Sequence, residues 1–165
     1  MKVKIIAAIA VVVLGVAGFF VFTQKPAAPE VAFTTLQGET FRTADLRGQV
    51  VLVNFWATSC ASCIKEMPML AQTYEKFAAR GYRTIAVAMD YDPPAQVQAY
   101  VERAGLPFTV ALDRSGEVAR AFDGVRLTPT TFLIDKRGQI VHKYLGEPDF
   151  ARLHELLERL LAESV

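Results

Sequence analysis

Cys60 and Cys63, separated by Ala61 and Ser62, are the only two cysteines in the 165-residue sequence. Two thiols spaced in this way at the start of a helix stand on one face about one turn apart, near enough to join without unfolding the chain. Such a pair suits a reversible two-electron couple in which a dithiol closes to a disulfide and reopens. Unsatisfied backbone N–H groups at a helix amino terminus favour a negative sulfur, so Cys60 reads as the nucleophile. Cys63, one turn inside, reads as the less exposed partner that resolves a mixed disulfide.

The neighbouring elements must hold that pair. Val50–Phe55 is a continuous apolar run, the pattern of a central strand covered on both faces, and it aims the cysteines at the carboxyl edge of a sheet. A helix is expected over about residues 61–79, with Ile64, Met67, Leu70, Ala71, Tyr74 and Phe77 at helical spacing and a kink at Pro68. Tyr82–Met89 reads as a second strand. Asp92 offers a cap, with Pro93 at the first position of a helix that buries Val97, Tyr100, Val101 and Ala104. Phe108–Leu112 is a third strand, and Ser115 caps a short helix. Thr130–Ile134 and Ile140–Leu145 form an antiparallel hairpin through the turn Asp135–Gly138. Asp149 caps a last helix whose apolar side carries Phe150, Leu153, Leu156, Leu157, Leu160 and Leu161. Val31–Phe41 reads as a short hairpin or edge element around Gly38. This order gives an α/β sandwich with a mixed sheet.

Composition bounds the function. With 52% hydrophobic and 21% charged residues the chain can build a core without disulfides. A net charge of +1 with no basic stripe points away from nucleic acid. Two cysteines are a working pair and not the framework of a small secreted fold. At the amino terminus, Lys2 and Lys4 precede an uncharged run from Ile5 to Phe22 that would span roughly 27 Å as a helix. It exceeds the usual secretory apolar region of about 7–15 residues, and no clean small-x-small cleavage site follows. Residues 1–22 are therefore expected to be an uncleaved signal anchor, with a cleaved signal peptide as the alternative. The lysines favour a cytoplasmic amino end and a translocated domain. Residues 23–30, with Pro26 and Pro29, read as a tether of about 25 Å when extended. A single domain is expected over residues 31–165.

Several other residues could serve the pair. Phe55 reads as core, and Trp56 as either core or the apolar floor of a docking site. Thr128–Pro129 precedes a strand, where proline is commonly a turn residue, and only about 5% of such bonds are cis. Glu66 shares a helical face with Cys63 and could move protons for it, although an exposed glutamate in an early helical turn is common. His142 and His154 are the only histidines, and their twelve-residue spacing does not match a zinc site.

Together these residues resemble the thioredoxin superfamily, and within it the membrane-anchored TlpA/ResA/CcmG-like thiol–disulfide oxidoreductases. The resemblance runs from about Val31 to the end. It rests on Val51–Cys63, on Glu66-Met67-Pro68 and on Thr128–Asp135. It implies a thioredoxin-like fold: a mixed central sheet flanked by helices, an inserted helix and strand between Pro93 and Leu112, and an amino-terminal hairpin. A single transmembrane helix would precede the domain. The resemblance implies that Pro129 is a cis-proline beside the disulfide and that the backbone of Thr128 pairs with a bound peptide. Trp56, Thr128 and Pro129 are thus the expected substrate-binding set. Glu66 matches an acidic residue near the dithiol and joins Cys60 and Cys63 as catalytic. Three positions depart from the family pattern: Ser59 replaces a tryptophan, Ser62 a proline, and Asn54 stands where cytoplasmic thioredoxin carries a buried acid.

The expected function is reduction of disulfides in client proteins from the periplasmic side of the inner membrane. Electrons would come from a transmembrane donor of the CcdA/DsbD type, and no cofactor or metal is implied. Proteins with this motif span about 150 mV, so the motif leaves the direction of electron flow open. Two alternatives share the fold. Sco-like copper carriers have Cys-x-x-x-Cys and a histidine before the strand after the proline; here the spacing is one residue shorter, and Arg126-Leu127-Thr128 holds no histidine. Thiol peroxidases carry Pro-x-x-x-Thr-x-x-Cys, and Val53 and Ala57 occupy those positions relative to Cys60. A non-catalytic interaction module is the remaining reading.

Overall fold

Hydrophobic side chains on both faces of one strand dictate the architecture. The computed structural model describes residues 25–164, so the expected anchor over residues 1–22 lies outside the described residues. Among the described residues, no helix is long and apolar enough to cross a membrane. The chain runs through β1 (Ala32–Thr34), β2 (Thr40–Arg42), a 3-10 turn (Thr43–Leu46) and β3 (Val50–Trp56). Next come α1 (Ala61–Phe77), β4 (Tyr82–Ala88), α2 (Pro94–Ala104), β5 (Thr109–Leu112) and α3 (Glu117–Ala121). It closes with β6 (Thr130–Ile134), β7 (Ile140–Leu145) and α4 (Phe150–Ala162).

The main sheet has the order β5-β4-β3-β6-β7, with β3, β4 and β5 parallel and β6 and β7 antiparallel to their neighbours. Every residue of β3 is buried. Alternation divides its side chains between two cores. Val50, Leu52 and Trp56 pack with Met67 and Leu70 of α1, Val97 of α2 and Leu153 and Leu157 of α4. Val51, Val53 and Phe55 pack with Phe33 of β1, Val118 and Phe122 of the α3 region and Phe132 of β6. β1 and β2 form the small antiparallel hairpin. The inserted α2 and β5 lie where the sequence places them.

Helix ends show where local reading succeeds and fails. Asp149 caps α4 as expected, accepting from the N–H groups of Ala151 and Arg152 at 3.1 and 3.2 Å. The turn Asp135–Gly138 also forms, with Gly138 at a positive φ of 75° and the Arg47 guanidinium packed where a Cβ would stand. Asp92, however, caps nothing: Pro93 holds the cap position of α2, and the Asp92 carboxylate turns to Thr58. Ser115 does not cap α3 either. Buried Asp113 accepts from Val118 N at 3.2 Å and Ala119 N at 2.8 Å. A carboxylate two residues earlier reaches forward into the first turn, and Ser115 stays exposed.

The segment read as a tether also differs at its far end. Ala28 is buried, Ala28 N donates to Gly138 O at 2.9 Å and Ile140 N to Pro26 O at 2.8 Å. Ordered contacts with the domain therefore begin before Val31. Replacing Asp113 by Ala strands two buried N–H groups and should cost about 1–3 kcal/mol in urea unfolding, whereas Ser115→Ala should stay within about 0.5 kcal/mol.

Candidate active site

β3 ends at Trp56 and α1 begins at Ala61, so four residues must turn the chain and start a helix. Cys60 N donates back to Ala57 O at 3.1 Å, which closes the turn. Asp92 clamps it from the β4–α2 loop, accepting from Thr58 N and Thr58 Oγ1, each at 2.6 Å. Cys60 then occupies the cap position of α1, where a side-chain acceptor is required, and its Sγ accepts from Cys63 N at 3.2 Å. The two cysteines are joined in a disulfide, with Cα atoms 5.2 Å apart. Cys60 is half-buried at the rim, and Cys63 is wholly buried behind it. Ser62 Oγ lies 3.5 Å from Cys60 Sγ.

Glu66 is the residue whose setting departs most from a bare reading of the helix. It is fully buried, facing the sheet and not the solvent. Its Oε1 accepts from Asn54 Nδ2 at 2.8 Å, while Oε2 has no partner among the described residues. Burial disfavours the charged form and pushes the Glu66 carboxyl up to about 7; the Asn54 bond opposes this, and nearby Glu147 adds to it. Glu147 itself pairs with exposed Lys65 at 2.7 Å. Lying just after β7, it meets the site through Gly146, whose N–H donates to Pro129 O at 2.9 Å.

The Thr128–Pro129 peptide bond is cis. Pro129 is buried and Thr128 half-buried. Three large apolar side chains stay exposed around this loop: Leu127 directly before it, Tyr91 with its hydroxyl 3.5 Å from Thr128 Oγ1, and Leu145 opposite Thr130 in the β6–β7 register. Sequence reading missed Tyr91 and Leu145, because nothing in their local pattern marks them as gathered at one loop. It also missed Thr131, which accepts from Asn54 Nδ2 at 2.9 Å.

Trp56 requires a correction. Its indole is entirely buried, tilted against Tyr100 at 5.4 Å between centroids, and offers no surface to a docked partner. The end of a strand covered on both faces leaves it no route to solvent, so Trp56 supports the site from beneath. Val53 and Ala57, which stand where a thiol peroxidase has proline and threonine, are likewise buried. His154 lies 2.9 Å from Thr73 Oγ1 and packs edge-on against Phe77, and His142 lies tilted against Tyr144. Among the described residues, no three His, Cys, Asp or Glu side chains gather as a metal site would require.

Comparison with known proteins matches the redoxin family profile to residues 23–157. A thiol-disulfide oxidoreductase ResA of Bacillus thuringiensis subsp. konkukian is 36% identical over 133 residues, covering 81% of this chain and 76% of its own. The ResA of Geobacillus kaustophilus is 37% identical over 143 residues, covering 81% of each chain. In structure, a thiol:disulfide interchange protein of the thioredoxin family from Chlorobium tepidum superposes with a TM-score of 0.77 at 28% identity, over 85% of this chain and 99% of its own.

The Glu66 geometry has a measurable consequence. The unfolded carboxyl releases its proton near 4.5 and the folded one near 7, so over that window the folded state holds the extra proton and stability falls as pH rises. Glu66→Gln should remove a loss of about 3 kcal/mol between pH 4.5 and 8, read from urea unfolding of the oxidised protein across pH.

Proposed function

This chain belongs to the redoxin family and is a thioredoxin-like protein-disulfide oxidoreductase; on that premise we propose that it reduces client protein disulfides outside the cytoplasm, held to the membrane by residues 1–22. The observation that carries the reading is the contrast between the two sulfurs. Cys60 meets solvent at the tip of α1, whereas Cys63 sits buried one turn ahead of an equally buried carboxyl poised near neutrality.

The reduced protein would work in two exchanges. The Cys60 thiolate, favoured by the helix terminus and the Cys63 N–H, attacks one client sulfur. The client S–S bond breaks, a Cys60–client disulfide forms, and the first client thiolate takes a proton from water. Glu66 then accepts the Cys63 proton. The resulting Cys63 thiolate attacks Cys60 Sγ, the Cys60–client bond breaks, and the second client thiolate leaves and is protonated. Two electrons pass to the client, and the chain is left as the Cys60–Cys63 disulfide seen in the structure.

Client binding is assigned to the Pro129 loop. The Thr128 backbone would pair with an extended client segment, with Pro129 packed beside the disulfide. Leu127, Tyr91 and Leu145 supply an apolar rim that sequence-tolerant docking needs. An oxidising compartment keeps disulfides closed, so repeated turnover calls for electrons delivered across the membrane by a donor of the CcdA/DsbD type.

Cys60→Ser should abolish insulin disulfide reduction. Cys63→Ser in cells should stall a mixed disulfide on Cys60 and identify the clients directly. The midpoint potential should lie nearer the roughly −270 mV of thioredoxin than the roughly −120 mV of a strong oxidant; a value at the oxidising end overturns the direction of flow. Leu127→Glu should raise KM for a protein client about tenfold while leaving the exchange with a small disulfide unchanged.

A further inference from the structure

Asn54 lies wholly buried in the middle of β3, between α1 and the sheet. Its Nδ2 carries two hydrogens and both are engaged, one with Glu66 Oε1 at 2.8 Å and one with Thr131 Oγ1 at 2.9 Å on β6. Turned over, the amide would lose its bond to the Glu66 carboxylate, because Oδ1 would then face an acceptor-only oxygen, while the Thr131 hydroxyl could donate to Oδ1 in its place. At the other ends of this chain, Asn54 Oδ1 and Glu66 Oε2 have no hydrogen-bond partner among the described residues.

A buried amide is costly unless its bonds are made, and a leucine would fill nearly the same space without that demand. The charged groups that act on Glu66 are Glu147 from the segment after β7 and, through its pair with Glu147, Lys65 of α1. Among the described residues, Asn54 is the one group that donates to the carboxylate, and it cannot itself take a proton. Resting on the reading of Glu66 as proton acceptor, we infer that Asn54 is the positioning residue of the dithiol site: anchored to β6 through Thr131, it pins Glu66 Oε1 and leaves Oε2 as the atom that takes the Cys63 proton. Glu66 and Cys63 share one face of α1, three residues apart, so a carboxylate pinned against β3 keeps a fixed relation to that sulfur. A neutral donor also avoids the alternative that an aspartate would create, two carboxylates competing for one proton.

The test reads Glu66 directly. In oxidised protein carrying carbon-13 at the glutamate carboxyl, the Glu66 midpoint should lie near 7 and rise by about one pH unit in Asn54→Leu, the worth of one hydrogen bond to a charged group. Thr131→Val frees one arm of the amide and should shift the midpoint the same way by less. It serves as the deciding variant if Asn54→Leu does not fold. In reduced protein mixed with oxidised glutathione, release of the second glutathione at pH 6.5 should slow about tenfold in Asn54→Leu. In a Glu66→Gln background, Asn54→Leu should slow that step no further. An unmoved Glu66 midpoint overturns the inference, and so does equal slowing in the Glu66→Gln background. The carboxyl titration needs neither client nor turnover, so its failure counts against Asn54 alone. A shifted midpoint without trapped clients on Cys60 would instead count against the reductase reading.

Discussion

The junction between β3 and α1 meets two demands with the same four residues. It must stop a strand buried on both faces, and it must present a sulfur where the first helical N–H groups lack partners. Because Cys60 is the cap, its side chain cannot retreat into the core, and the register of α1 then sends Cys63 inward one turn later. The difference in exposure between the two sulfurs thus follows from helix geometry. The Asp92 clamp on Thr58 belongs to the same constraint: a turn this short gains definition from a buried carboxylate that satisfies both its backbone and its hydroxyl.

Behind the cysteines, two opposing effects act on one carboxyl. Taking Glu66 out of water favours its neutral form, and one hydrogen bond from a neutral amide restores part of the charged form. Burial wins, and the amide's opposition leaves the carboxyl at about 7, titratable where cells operate. A buried glutamate with no donor would stay protonated, and one paired with a buried cation would stay ionised. Tertiary structure arranges this setting, since its three participants come from β3, α1 and β6.

Much of the framework was legible because it is local. The unbroken apolar run of β3, the helical spacing of α1 and α4, the Asp149 cap and the Asp135–Gly138 turn each announce themselves within a few residues. The cysteine pair is visible for the same reason. What was hidden depends on partners far along the chain. Asp92 and Ser115 both look like caps, but Asp92 finds Thr58 thirty-four residues away and Asp113 takes the place of Ser115. Trp56 reads equally as floor or core until both sheet faces are known to be covered. Glu66 looks like a solvated acid in the first or second helical turn until the helix is rolled onto β3. The exposed trio of Tyr91, Leu127 and Leu145 is scattered in sequence and converges only once the sheet order is set.

The two margins of the main sheet are treated unlike its centre. On the β5 side, Thr35 bridges to Ala111 and Leu36 N donates to Val110 O. On the β7 side, residues 26–28 bridge to Gln139 and bond the turn and the first residue of the strand, and Lys143 stands farther along. A bare sheet margin offers unpaired N–H and C=O groups to any extended segment that meets it. By filling one border with its own hairpin and shortening the other with its leading residues, the chain limits self-association and sticking.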